Sequence, residues 1–228
     1  MKQYFLGIEF GSTRIKAVLL DEKHAIVKSG DYTWKSSLEN GVWTYHMEDV
    51  QEGLRTAIRN LGKLPGKISA MGVSGMMHGY LAFDKDWNLL APFRTWQNTM
   101  TGEAADKLTE AFGFNIPQRW SAAHLYQAVL NGEPHVKNIA HVTTLAGYVH
   151  YLLTGENALG VGEASGMFPI DSETLTYDAA MLDKFDALMA KYGFDWNIRA
   201  VLPEVRTAGQ SAGLLTPSGS EYLGGLLP

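Results

Sequence analysis

"GIEFGSTRIKAVLLD", residues 7–21, is the stretch from which the fold can be read. Two alternating apolar runs flank a Gly-Ser-Thr turn, so it reads as a β-hairpin with one strand over residues 3–9 and a second over 14–20. A tight turn of this kind can present backbone N–H groups to a phosphate. It is not a P-loop, because the G-x-x-x-x-G-K-[ST] spacing is missing, and no G-x-G-x-x-G occurs anywhere in the chain. The acid that leads into the turn is Glu9, one methylene longer than an aspartate.

Working outward, "HAIVKSGDYTW" (24–34) follows a polar turn and extends the hairpin into a three-stranded antiparallel meander. Val50, Leu54, Ile58 and Leu61 then recur on one face of a helix between Met47 and Leu61. "KISAMGVSG" (67–75) reads as a buried strand, which gives a ββ-βαβ opening with a parallel pair. Helices are expected over 101–112, 121–131, 144–154 and 178–192, with a short strand near 139–143 and the segments "WNLL" and "FRTW" in strand or loop. No repeat or linker divides the chain.

Composition excludes several classes of function. The 228 residues contain enough apolar side chains for a substantial core. There is no cysteine, hence no disulfide framework and no thiolate metal site. A net charge of −5 without a basic block argues against nucleic acid as the main partner. No apolar run reaches the length of a membrane span, and the N-terminus lacks the marks of a signal peptide. A cytoplasmic protein is expected, with no membrane partner; a homodimer is compatible with the sequence.

Two motifs compete for a catalytic role. "GQSAG" (209–213) matches the nucleophile elbow of a hydrolase, but that elbow needs a histidine later in the chain, and the last one is His150. It reads as a surface loop. "GVSGMMHGYLAFD" (72–84) carries more weight. It leaves a strand at Gly75 and sets Met76, Met77 and His78 at the carboxyl end, where open α/β sheets bind ligands. Downstream, "FRTWQNTMTGE" (93–103) gathers Trp96, Gln97 and Asn98. An indole face for C–H surfaces and amides for hydroxyls suit a sugar.

These segments, taken in order, resemble the N-terminal domain of the FGGY-family carbohydrate kinases. The opening hairpin is similar to that family's G-I-D-x-G-T-[ST], "SGMMHG" to S-G-Q-M-H-G, and "RTWQNTMTGEAADKL" to the W-N-D-x-R segment. "TTLAGYVHYLLTGE" (143–156) is similar to D-Y-[LIV]-x-x-x-L-T-G, and "GEASGMFPID" (162–171) to D-A-S-G-x-L-x-D. The resemblance implies an α/β fold of the actin-like ATPase, ribonuclease-H-like type, with a mixed five-stranded sheet and helices on both faces. It implies that residues 1–228 form the N-terminal sugar-binding domain of a two-domain kinase, with the C-terminal ATP-binding domain and the catalytic-base aspartate lying beyond this chain. ATP and Mg²⁺ are the implied cofactors, and a sugar, xylulose or another ketopentose, the implied substrate. Gly11, Ser12, Thr13, Arg14 and Lys16 would bind phosphate. Glu9 would be the Mg²⁺-associated acid, acting directly or through water. Met77, His78, Trp96, Gln97 and Asn98 would bind the sugar.

The sequence departs from the family pattern at three places. Glu9 stands where an aspartate is usual, Glu163 replaces the acid of the D-A-S-G loop, and His124 and Gln127 occupy the signature lysine and tryptophan places. One alternative is a non-catalytic sugar-binding or regulatory module derived from a kinase N-domain. Another actin-like ATPase is a second alternative, disfavoured by "SGMMHG" together with "TWQN".

Overall fold

Alternation along the first strands builds the sheet. In the computed structural model, which describes residues 2–227, β1 (Gln3–Phe10) and β2 (Arg14–Leu20) pair antiparallel from Phe5↔Leu20 to Phe10↔Ile15. Leu6, Ile8, Phe10, Ile15, Ala17 and Leu19 are buried, while Gly7, Glu9 and Lys16 remain exposed. β3 (Ile26–Thr33) continues the meander beyond β2. A small hairpin, β4 (Ser37–Glu39) with β5 (Val42–Thr44), follows, and leads into α1 (Met47–Arg59).

Helix α1 buries Val50, Gly53, Leu54, Ala57 and Ile58 against the sheet, with Glu48 and Asp49 in its first turn and Arg59 in its last, as the helix dipole favours. Two glycines make this approach possible. A Cβ on Gly53 would lie 2.5 Å from the Ile15 side chain, and one on Gly30 of β3 would lie 2.2 Å from the Ala57 carbonyl oxygen. Helix and sheet therefore meet at backbone distance.

The crossover ends in β6 (Lys67–Gly75), which pairs parallel with β1. The sheet order is β3-β2-β1-β6, the mixed arrangement expected. Three details differ from expectation. Among the described residues the sheet has four strands where five are expected, and β8 (His141–Thr143) pairs with β7 (Leu81–Phe83) outside it. β6 is an edge strand with exposed residues along its length, not a buried one. Finally, α1 and α4 (Leu145–Thr154) contribute to the same apolar cluster as Leu6, Ile8 and Phe10, so they share one face of the sheet. The opposite face, bearing Gly7, Glu9 and Lys16, is exposed.

A second apolar cluster forms around α2 (Gly102–Phe112), α3 (Ser121–Leu130) and, later in the chain, α6 (Ala179–Met189). His124 and Gln127 are buried polar residues of α3. His124 is fully buried and stacks on Tyr80, and Gln127 accepts from the Ala104 N–H at 3.2 Å. Between α4 and α6 lie β9 (Ala158–Gly160) and α5 (Val161–Ala164). The chain then runs through α7 (Ile198–Val201), β10 (Glu204–Arg206), which pairs parallel with β9, and α8 (Pro217–Tyr222). Among the described residues no helix is long and apolar enough to cross a membrane.

Candidate functional site

The turn between β1 and β2 is held from beneath. The Trp34 indole N–H donates to the Gly11 carbonyl at 2.7 Å, the Tyr45 hydroxyl to the Ser12 carbonyl at 2.6 Å, and the Trp34 amide to the Thr13 carbonyl at 3.2 Å. With all three carbonyls drawn to one side, the peptide N–H groups of the tip are directed to the other. The Gly11 N–H closes the turn on the Arg14 carbonyl at 2.9 Å, and among the described residues the N–H groups of Ser12 and Thr13 have no acceptor. Ser12 and Thr13 are exposed. Adjacent free N–H groups in a turn are the feature from which backbone anion nests are made, which makes this tip a candidate nest.

Charge flanks the nest. Lys16 lies 3.4 Å from Glu9 across the β1–β2 pair, and Arg14 lies 3.4 Å from Asp31. Both pairs are exposed, so each is worth little and can be exchanged for another partner. A Cβ on Gly11 would stand 3.7 Å from Glu9 Oε1, so the carboxylate reaches the base of the turn. Among the described residues no group of three or more His, Asp or Glu side chains could enclose a metal. One carboxylate is nonetheless enough for Mg²⁺, which keeps its waters and takes phosphate oxygens as ligands.

The His78 loop stands beside the nest. The Met76 amide donates to the Phe10 carbonyl at 2.8 Å, so the ends of β1 and β6 open onto the same place. His78 has φ 71° and Gly79 φ 93°, and a left-handed histidine is held there only by its surroundings. A Cβ on Gly79 would lie 2.6 Å from the Arg94 carbonyl oxygen, so only glycine fits. The Gly79 N–H reaches the Arg119 carbonyl at 3.0 Å, and Ser121 Oγ donates to the Gly79 carbonyl at 2.6 Å. Tyr80 and Arg94 form an antiparallel bridge, which sets the 95–98 segment alongside the His78 loop.

His78 Nδ1 lies 3.1 Å from the Gly166 carbonyl oxygen. A carbonyl can only accept, so Nδ1 carries the proton and Nε2 of the neutral ring is left as an acceptor. Burial, together with the nearby Arg119 charge, holds the ring below its ordinary value against the pull of the Gly166 carbonyl. Met77 and Trp96 are exposed nearby, and Gln97 is half-buried. Asn98 differs from its expected role. Its Oδ1 accepts from the Trp43 N–H at 2.9 Å and its Nδ2 donates to the Trp43 carbonyl at 2.9 Å and the Thr95 carbonyl at 3.0 Å. It is buried and clamps the loop to β5.

A row of rings joins the two halves of the site. Phe10, Trp34, Tyr45 and Phe93 follow one another with centroid separations of 6.2, 4.2 and 6.3 Å. Sequence reading missed Arg119 and Gly166, which arrive from loops distant in the chain. The nearest signal for Gly166 was the "GEASG" segment, noted for its acid.

A groove of about 1060 Å³ runs along the outer edge of β6, lined also by α4, β9, the 210–215 loop and Leu227. None of residues 76–79 lines it, whereas Glu163 does. Burial pushes the Glu163 carboxyl up to about 7 from 4.5, with the Thr144 hydroxyl opposing, and its buried Oε1 has no partner among the described residues. Between these two values the folded chain holds a proton that the unfolded chain releases, so stability falls as pH rises through this window. The loss is roughly 3 kcal/mol once the pH is well above 7. Urea denaturation of this chain below and above the window should show that loss, and Glu163→Gln should abolish it. An unchanged pH slope in the variant would refute the assignment.

The profile described as the FGGY family of carbohydrate kinases, N-terminal domain, matches residues 4–227. A glycerol kinase of Thermococcus gammatolerans is 24% identical over 245 aligned residues, covering 100% of this chain and 47% of the relative. A xylulose kinase of Haemophilus influenzae is 24% identical, covering 93% of this chain and 46% of the relative. The crystal structure of gluconate kinase from Lactobacillus acidophilus superposes with a TM-score of 0.82 at 19% identity, over 98% of this chain and 46% of that one. The shared fold is the actin-like one. The chain spans about half the length of the curated relatives it matches.

Proposed function

We infer, from the premise that this chain belongs to the FGGY family of carbohydrate kinases, that it is the sugar-binding N-terminal half of an ATP-dependent enzyme that phosphorylates a sugar hydroxyl. The observation that carries this reading is the junction of nest and His78 loop at the ends of β1 and β6, bonded through Met76 and Phe10. Phosphoryl transfer asks for donors around the phosphate and a hydroxyl held in line with it. The two halves of this site offer one of each.

In this mechanism the Ser12 and Thr13 N–H groups receive phosphoryl oxygens, and Arg14 and Lys16 add positive charge once released from Asp31 and Glu9. His78 Nε2 accepts a hydrogen bond from a sugar hydroxyl and orients it. Met77 and Trp96 cover C–H surfaces, Gln97 supplies an amide, and Asn98 holds the loop that carries them. Glu9 would hold Mg²⁺ through a water molecule; when bound, the ion neutralises charge developing on the phosphates. The base that takes the hydroxyl proton, and the main nucleotide contacts, would come from the remaining half. The Met77–His78 pair favours a ketopentose such as xylulose. Relatives named for glycerol, xylulose and gluconate define the panel of substrates to test. Glu9, standing where the family pattern has an aspartate, favours a second reading, a sugar-binding module without catalysis.

The test is ATP- and Mg²⁺-dependent turnover of that panel by the whole protein, with His78→Ala alongside. Removing an acceptor from a buried hydroxyl costs about 1–3 kcal/mol. kcat/KM for the sugar should therefore fall about 5- to 150-fold, while ATP binding changes far less. A kinetically silent His78→Ala would return the residue to a packing role. Sugar binding without turnover by the whole protein would favour the second reading.

A further inference from the structure

We propose that Arg119 makes the candidate sugar site selective for a sugar acid, its guanidinium receiving the carboxylate of a substrate whose hydroxyl meets His78. The proposal rests on the reading of this chain as a sugar-binding half and narrows the substrate within it. The Met77–His78 pair alone favours a ketopentose; Arg119 adds a charge that a neutral sugar leaves unused.

Arg119 is fastened to the His78 loop by its own backbone. Its carbonyl accepts from the Gly79 N–H at 3.0 Å, and two residues on, Ser121 Oγ donates to the Gly79 carbonyl at 2.6 Å. The residue before it is held as well, because Thr101 Oγ1 donates to the Gln118 carbonyl at 2.5 Å. Arg119 thus stands one hydrogen bond from the loop, and it is exposed.

Every other arginine is engaged. Arg14, Arg59, Arg94, Arg199 and Arg206 each face a carboxylate, and Arg55 donates to the Tyr222 carbonyl. Arg119 has no such partner among the described residues. The first turn of α3, which begins at Ser121, offers no acid to supply one, in contrast to α1 and α2.

The unpaired charge bears on the site. It opposes protonation of the His78 ring, and the other influences there are burial and the Gly166 carbonyl, with no carboxylate among them. A Cβ on Gly166 would lie 2.7 Å from His78 Nδ1 and 3.1 Å from Met77 Cε, so ring and thioether both rest on this glycine. A neutral His78 offers a hydroxyl an acceptor but no charge, which leaves Arg119 as the cation an acidic end group would meet. Guanidinium grips a carboxylate through two parallel N–H···O bonds, a pairing no hydroxyl reproduces. A sugar acid held at both points has one orientation.

Gluconate against glucitol, and xylonate against xylitol, differ only at the end carbon and form the test. Calorimetric titration of the whole protein without nucleotide should show each acid binding about 10- to 100-fold more tightly than its alcohol. The ratio should shrink as salt is raised. Arg119→Gln should bring it close to one, and Arg119→Lys should restore part of it. A general loss of structure would weaken acid and alcohol alike, so the ratio isolates the charge. Equal binding of acid and alcohol, no binding of either, or a ratio that persists in Arg119→Gln would each overturn the proposal. Turnover is a separate readout. Neutral sugars phosphorylated without preference for acids would leave the kinase reading standing and overturn this one. Arg119-dependent acid binding without turnover would do the reverse.

Discussion

Residues 1–228 alone are expected to give no sugar-dependent release of ADP from ATP, whereas the whole protein turns over. The expected difference is at least about 10⁴-fold, because the chemistry depends on positioning and electrostatics assembled between two halves. The structure gives a physical reason. Glu9, Lys16 and the nest lie on or beside a sheet face that is open to water, where a transferring phosphoryl group would be attacked by solvent and its charge screened. A base facing the hydroxyl is also missing from the proposed mechanism of this half. A coupled ADP assay on both proteins, with and without sugar, decides the matter. Sugar-dependent turnover by the shorter chain would overturn the division of labour between two halves.

Glu9→Gln in the whole protein should lower kcat on the order of 100-fold and weaken its dependence on Mg²⁺. The amide keeps the length of the side chain but removes the charge that faces Lys16 at 3.4 Å and that would hold the ion's water shell. Glu9→Asp is the more telling companion. It withdraws the carboxylate by about 1.5 Å, and if the turn is fitted to the longer arm, activity falls. The placement of Glu9 Oε1 close beneath Gly11 supports that fit. If Glu9→Asp instead raised activity, Glu9 would mark a site in decay. Unchanged kcat and Mg²⁺ dependence in Glu9→Gln would remove the residue from the mechanism.

Much of the fold can be read in the sequence where period is sustained. The strand expected at 67–75 forms over Lys67–Gly75, and the helix expected between Met47 and Leu61 over Met47–Arg59. The short elements escape such reading. β4, β5, β9 and β10 are three residues each, too brief to display a period, and tertiary pairing stabilises them. The exposure of β6 escapes it for another reason: an apolar run states what could be buried, and whether a neighbour covers it is a property of the assembly. The site shows the same limit. His78 is legible from its place at a strand end, but Gly166, which fixes its tautomer, lies 88 residues away in sequence. Asn98 has the chemistry of a sugar ligand. Only its contact with Trp43, 55 residues earlier, commits it to the backbone.

The row of rings from Phe10 to Phe93 has an entropic consequence. Trp34 and Tyr45 fasten the turn at Gly11 and Ser12, and Tyr45 leans on Phe93, which opens the segment leading to Trp96. The separation between the Gly11–Thr13 turn and the 95–98 segment is thereby fixed during folding, when apolar burial is available to offset the cost of ordering those side chains. On the proposed function, phosphate and sugar would meet two half-sites already in register and would need only to surrender their own freedom. That is preorganisation in its strict sense: alignment is a property of the empty protein, so affinity and rate do not have to be diminished to create it.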